Sequence, residues 1–61
     1  MKNLIIGASY CALKKDGTMI VFSCEGSKYD NYDTSVVNLN NHEVKVSEIQ
    51  NDITAYWQVS I

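Results

Sequence analysis

The last nine residues of the chain alternate between two kinds of side chain. The positions in one set are all apolar, and the other set is mostly polar except for Tyr56. The apolar set is Ile53, Ala55, Trp57, Val59 and Ile61. A period of two is typical of a β-strand with one buried face. The pattern therefore predicts a strand over residues 53–61, with Trp57 buried at the centre of the core.

A hairpin is predicted at the start of the chain. Residues 4–13 and 18–24 are rich in β-branched and aromatic side chains, and Asp16 and Gly17 stand between them. Asp-Gly is a strong signal for a two-residue hairpin loop, because a type I′ turn needs a positive φ at both central positions. We therefore expect two antiparallel strands that meet at this dipeptide.

The turn also fixes which side chains of the hairpin share a face. The expected pairs are Leu13 with Ile20, Cys11 with Phe22, and Ser9 with Cys24. Both faces then carry apolar side chains, which indicates that the hairpin is central in its sheet. A Gly17-Thr18 turn is the alternative, and it would set Cys11 directly opposite Cys24.

A second hairpin is predicted between residues 35 and 50. Residues 35–39 and 43–50 have the pattern of strands, and Asn40-Asn41 between them tolerates the positive φ of a tight turn. That turn pairs Val37 with Val44. The next candidate turn, Asn51-Asp52, would place the last strand beside residues 43–50. The pairs expected from it are Val46 with Trp57 and Val44 with Val59.

Together these elements predict an all-β fold. We expect a small antiparallel meander of about five strands, curled into an SH3-like or open barrel around Trp57. The alternative is an α+β fold with a short helix near residues 48–57, because Ser47 and Gln50 have the spacing of a capping box. A sheet of so few strands leaves its edges open, and open edges favour pairing with another chain. A homodimer is therefore expected.

One long segment, residues 25–33, has no period of either kind. Polar and turn-forming residues dominate it, and its length exceeds that of most connections. Tyrosine is enriched at protein interfaces because it offers a large contact area and a hydroxyl at low entropic cost. We therefore expect this loop to bind an unidentified protein partner. The predicted contact residues are Glu25, Tyr29, Asp30, Tyr32 and Asp33.

Composition limits the function further. The chain has 61 residues, which is enough for one small domain spanning residues 1–61 and too few for a cofactor domain. Its net charge is −2, and its five cationic residues are all lysines. Without arginine, the usual side chain for bidentate phosphate contacts is missing, so nucleic acid is an unexpected partner. The absence of Arg and Pro is typical of an AT-rich genome.

Few residues could carry catalysis or bind metal. Cys11, Cys24 and His42 are the only soft metal ligands, and the cysteines are too far apart in sequence for the close pair of a zinc site. We expect both cysteines to pack in the core as small hydrophobic side chains and His42 to be a solvated turn residue. We also expect no cofactor and no enzymatic activity.

The start of the chain does not have the pattern of a secretory signal. Residues 1–6 contain one lysine and a short apolar stretch, which is below the length of a signal peptide core. No apolar run reaches the length of a membrane span. We therefore expect a cytoplasmic, non-enzymatic protein-binding module, and an inhibitor of a host protein made by a phage or mobile element would suit this composition. The alternative is a small-barrel domain that binds nucleic acid or a small ligand.

Overall fold

The computed structural model describes all 61 residues and contains one five-stranded antiparallel sheet. The strands are β1 (Ser9–Lys14), β2 (Met19–Ser23), β3 (Val36–Leu39), β4 (His42–Lys45) and β5 (Ile53–Ser60). A short helix, α1 (Val46–Ile49), and a 3-10 helix (Gln50–Asp52) join β4 to β5. The order in the sheet is β4-β3-β2-β1-β5, so β1 to β4 form a meander and β5 returns beside β1. The predicted all-β fold class is confirmed.

The β1–β2 hairpin is present, but its register differs by one residue from the prediction. Cys11 lies opposite Val21, and Tyr10 lies opposite Phe22. The loop has three residues, because Lys14 N–H donates to the Thr18 carbonyl oxygen at 2.8 Å. Gly17 has a φ of +89°, as expected for the left-handed residue that ends such a loop. The slip of one residue exchanges the two faces of β2, so both predicted registers are wrong.

The β3–β4 hairpin follows the prediction closely. Asn40 and Asn41 have φ values of 53° and 66°, which a two-residue primed turn requires. Val37 lies opposite Val44, as expected from that turn. The Asn38 side chain also accepts a hydrogen bond from the Asn41 backbone N–H at 3.1 Å, which stabilises the turn.

The chain leaves the sheet after Lys45, where the sequence predicted a continuing strand. Val46 is buried and Ile49 is half-buried against the core, so the helical turn gives the core two apolar side chains. The 3-10 helix ends at Asp52, and residues 53–60 are strand, so the alternative helix over 48–57 is wrong in its second half. The predicted hairpin at Asn51-Asp52 is also wrong, because β5 pairs with β1.

The core lies on one face of the sheet, which we call the inner face. The largest buried side chains there are Tyr10 and Phe22, whose rings stack with their centroids 5.6 Å apart. The N-terminal segment crosses this face, and the Tyr10 hydroxyl oxygen accepts a hydrogen bond from Ile5 N–H at 2.9 Å. Leu4 and Ala8 of that segment are buried in the same cluster. Cys24, just after β2, is fully buried there too, as predicted.

Trp57 is not the centre of the core. It is 44% exposed and lies opposite Cys11 on the other face of the sheet, so the expectation that the strands curl around it is wrong. The sheet is open, with β4 and β5 at its two edges. None of the helices has the length and apolar character needed to cross a bilayer.

Candidate functional site

The loop between β2 and β3 contains all five predicted contact residues. We call residues 25–33 the acidic loop. The residue before the loop, Cys24, is held by two backbone hydrogen bonds to the N-terminal segment. Its N–H donates to the Ala8 carbonyl oxygen at 2.9 Å, and its carbonyl oxygen accepts from Gly7 N–H at 2.7 Å. Residues 24–35 contain no helix or strand, as the sequence predicted for 25–33.

Ser27 and Asp30 hold the acidic loop in one conformation. Ser27 N–H donates to the Asp30 carbonyl oxygen at 2.7 Å, and Asp30 N–H donates to Ser27 Oγ at 2.9 Å. Asp30 Oδ1 in turn accepts a hydrogen bond from Tyr32 N–H at 2.9 Å. Each bond joins residues two or three positions apart, which is the local pattern that Ser and Asp side chains form in turns.

Gly26 is required by the tight fold of this loop. Its φ is +77°, and a Cβ at this position would lie 2.5 Å from the backbone carbonyl of Asn31. Glycine adopts this region without strain and leaves room for the facing backbone. The two ends of the loop therefore approach each other more closely than any residue with a side chain would allow.

Asp33 closes the loop. Asp33 Oδ1 accepts hydrogen bonds from both the backbone N–H and the hydroxyl of Ser35. These bonds lower the pKa of the Asp33 carboxyl, and the bond from the Ser35 hydroxyl has the larger effect. Because the folded-state pKa is lowered, the bonds stabilise the turn above the ordinary Asp pKa, and the stabilisation is lost as the pH falls through the lowered value.

Two glutamates tie the loop to one side of the sheet. Glu43 Oε1 accepts a hydrogen bond from Lys28 N–H at 3.1 Å, and Glu25 Oε2 accepts one from the Ser23 hydroxyl at 2.8 Å. Ser23 lies opposite Asn38, which lies opposite Glu43, so all three residues share the face that does not carry the core. The acidic loop therefore folds over that face at β3 and β4.

The two predicted tyrosines are the most exposed aromatic residues of the chain. Tyr29 is 87% exposed and Tyr32 is 82% exposed, so neither ring folds back over the core. The Lys28 ammonium lies 5.1 Å from the centroid of the Tyr29 ring, within the range of a cation–π contact. The structure thus places two solvated rings on a backbone that is held by short-range hydrogen bonds.

A second surface was missed by the sequence interpretation. The face opposite the core carries three rows of paired residues across β2, β1 and β5: Met19, Leu13 and Ala55; Val21, Cys11 and Trp57; Ser23, Ser9 and Ser60. We call these nine residues the outer face. None of them is charged, and Met19, Val21 and Trp57 are 58%, 60% and 44% exposed. The apolar content of both hairpin faces was the only signal for it in the sequence.

The lysines do not gather on one surface. Lys14 and Lys15 are at the β1–β2 turn, where the Lys14 ammonium pairs with the Asp52 carboxylate at 3.4 Å. Lys45 lies opposite Val36, beyond the Ser23 end of β2 and therefore at the other end of the sheet. A basic face for a nucleic-acid backbone would need these side chains together.

The structure has one cleft, which is lined mainly by polar residues. Its volume is about 570 Å³, and it lies between the N-terminal residue, residues 33–36, residues 45–47 and Gln50. It contains neither of the cysteines nor His42, and the Ser35 hydroxyl in its lining donates to the Asp33 carboxylate as part of the turn that closes the acidic loop. No group of three or more His, Cys, Asp or Glu side chains has the arrangement of a metal site.

The acidic loop and the outer face are therefore the two surfaces with unusual composition. The loop offers exposed aromatic rings among carboxylates, and the face offers uncharged, apolar side chains. Exposed aromatic rings and uncharged apolar faces are the kinds of surface that are common in contacts between macromolecules. The chain matches no protein-family model, no characterised protein and no solved structure.

Proposed function

We propose that this chain is a non-enzymatic protein-binding module that contacts its partner through the acidic loop. The observation that carries the proposal is the exposure of Tyr29 and Tyr32 on a backbone fixed by hydrogen bonds. A loop that is already ordered loses little further entropy on binding, so more of the contact energy appears as affinity. The two rings would act as the anchors of the interface.

The carboxylates of the loop have two roles in this proposal. Asp30 and Asp33 accept hydrogen bonds that shape the loop, and Glu25 accepts one from Ser23. These side chains remain on the surface, where their negative charge favours a partner with a basic patch. Charges at the rim of an interface mainly raise the association rate and make it depend on salt.

The free edge of β5 is the second contact surface of this proposal. β4, at the other edge, has four residues and includes Glu43 and Lys45, which are typical of edges that resist pairing. β5 has eight residues and contains neither a charged residue nor proline. An extended segment of a partner would add to such an edge through backbone hydrogen bonds.

A narrower form of the proposal concerns the origin of the chain. A chain without arginine or proline fits an AT-rich phage or mobile element, and a small binding module from such a source would suit the inhibition of one protein of the host. The proposed activity is inhibition of that protein in the cytoplasm. The alternative is a domain that binds nucleic acid or a small ligand. The lysines form no common basic surface that would support nucleic-acid binding, and the cleft gives no support to ligand binding.

The test is a pull-down from the native host with the tagged chain, followed by titration of the captured protein. Truncating both Tyr29 and Tyr32 to Ala should weaken binding by ~2 kcal/mol or more, since central aromatic anchors contribute that much. Ile5→Ala is the matched control, because Ile5 is an exposed apolar residue of the N-terminal segment, outside both the acidic loop and β5. Asp30→Asn should mainly slow association at low salt.

Two results would count against the loop as the binding site. Unchanged affinity of the double tyrosine variant would move the contact to the β5 edge. Tight binding of single-stranded DNA that weakens steeply with salt would favour the nucleic-acid alternative instead. Circular dichroism of each variant shows whether the fold is retained, and it should be, because neither ring contacts the core cluster.

A further inference from the structure

The outer face is an unusual surface for a small monomer. Across three adjacent strands it presents no charged side chain, and its two apolar rows contain Trp57, Val21 and Met19, each about half exposed. Val59, in the β-bulge beyond Trp57, extends the apolar area toward the end of β5. Contiguous apolar patches of this kind mark contact sites, and interface centres are depleted of charge.

We propose that the outer face binds the outer face of a second copy, so that two sheets pack as a two-fold-symmetric β-sandwich. Sheets that pack face to face need apolar, uncharged side chains on both inner surfaces, and a two-fold axis supplies the same surface twice. This proposal does not rest on the protein-binding function assigned to the acidic loop, because none of residues 25–33 belongs to the outer face.

The available area matches what a weak dimer needs. From the exposed fractions of Met19, Val21, Trp57 and Val59, with smaller contributions from Leu13, Cys11 and Ala55, each copy offers about 500 Å². Two copies would bury about 1,000 Å², which is the lower limit for a specific interface. A dimer of this size should dissociate in the micromolar range or above.

The charges around the face favour one orientation of the two copies. The acidic loop lies over β3 and β4, along one side of the outer face, and β5 on the opposite side carries no charge. A two-fold axis parallel to the strands places each acidic loop beside the uncharged β5 of the other copy. An axis across the strands would bring the two acidic loops together, which like charges oppose.

The experiment is sedimentation equilibrium of the whole chain from about 1 µM to about 1 mM, the range that suits an interface of this size. Val21→Glu should weaken the dimer at least about tenfold, because it places a charge in the centre of both copies of the interface. Val21 is on the interior strand β2, so this change leaves the β5 edge unaltered. Met19→Glu is a second variant, which keeps the test decisive if Val21→Glu impairs folding.

Ile5→Glu is the matched control. Ile5 is an exposed β-branched residue, 48% accessible, in the N-terminal segment on the inner side of the sheet. Its substitution should leave the dissociation constant of the dimer unchanged. Trp57 gives an independent signal as the only tryptophan, since its emission should shift to longer wavelength when the wild type is diluted below its dissociation constant.

Three outcomes would overturn the proposal. The first is a wild-type chain that stays monomeric over the whole range with constant Trp57 emission. The second is a dimer that both Val21→Glu and Met19→Glu leave intact, which would place the contact at the β5 edge. The third is a monomer whose Trp57 emission shifts only when another protein is added, which would assign the face to that protein.

Discussion

The two cysteines lie on opposite faces of the sheet and have different surroundings. Cys24 is fully buried beside Phe22 and Ala8 in the core cluster, and this burial raises the pKa of its thiol. Cys11 is half-buried on the outer face, between Val21 and Trp57. A raised thiol pKa leaves a smaller fraction of reactive thiolate at a given pH.

We therefore expect iodoacetamide to modify Cys11 well before Cys24 in the native chain. Cys24 should react only when the protein unfolds, because both its burial and its raised pKa oppose alkylation. Mass spectrometry of the two peptides over time measures the rates, and Cys11→Ala removes the faster one. In denaturant the two cysteines should be alkylated at equal rates. If they are also alkylated at equal rates in native buffer, Cys24 is not held in the core.

At the scale of elements, the turns decide which residues become core. Asp16 accepts hydrogen bonds from Thr18, from the backbone N–H at 3.0 Å and from the hydroxyl at 2.6 Å. These bonds place Asp16 inside a three-residue loop that ends at Gly17. If Asp16-Gly17 formed a two-residue loop instead, the register of the two strands would shift by one residue. The sequence alone does not distinguish these two loops, and the choice exchanges the two faces of β2.

The segment after β4 shows a second limit of sequence patterns. Val44 and Val46 continue a strand period, but the chain bends at Val46 and begins α1 without a side-chain cap. The helical turn forms because Val46 and Ile49 cover the inner face, which is a tertiary requirement. Asn40-Asn41 was predictable because its turn depends only on the residues within it.

Two glycines with positive φ provide a test of the acidic loop as an ordered element. Gly26→Ala should destabilise the chain more than Gly17→Ala, because only the Cβ at residue 26 would meet a facing backbone, that of Asn31. The Gly17 variant should lose about 1 kcal/mol from backbone strain alone. Urea denaturation with a common m-value measures both. An equal loss in the two variants would mean that the acidic loop is open in solution.

At the scale of the whole molecule, the candidate sites differ in how far the sequence revealed them. The acidic loop was predictable, because it lacks any period and most of its bonds are local. The outer face was not, since it depends on which of two apolar faces receives the N-terminal segment and α1. Trp57, the residue that the alternation marked as the core, is part of that outer face.

The position of the core gives the last prediction, a comparison of Phe22→Ala with Trp57→Ala. Phe22 is 2% exposed at the centre of the inner face, and its truncation should cost ~3–5 kcal/mol, as for other buried aromatic residues. A domain of this size has a total stability of roughly 3–9 kcal/mol, so this loss removes at least about a third of it and the Phe22 variant should melt well below the wild type. Trp57 already contacts water, and its truncation should cost about 1–2 kcal/mol from lost apolar burial.

Thermal melts followed by far-UV circular dichroism at about 1 µM make this comparison on monomers, below the dissociation constant expected for the outer-face dimer. At that concentration, any loss in the Trp57 variant reflects the fold of one copy. A Trp57 variant that unfolds while the Phe22 variant melts near the wild type would mean that the strands close around Trp57 as a barrel. The expected order, with Phe22 dominant, instead places the core on the inner face and leaves the outer face free for contact.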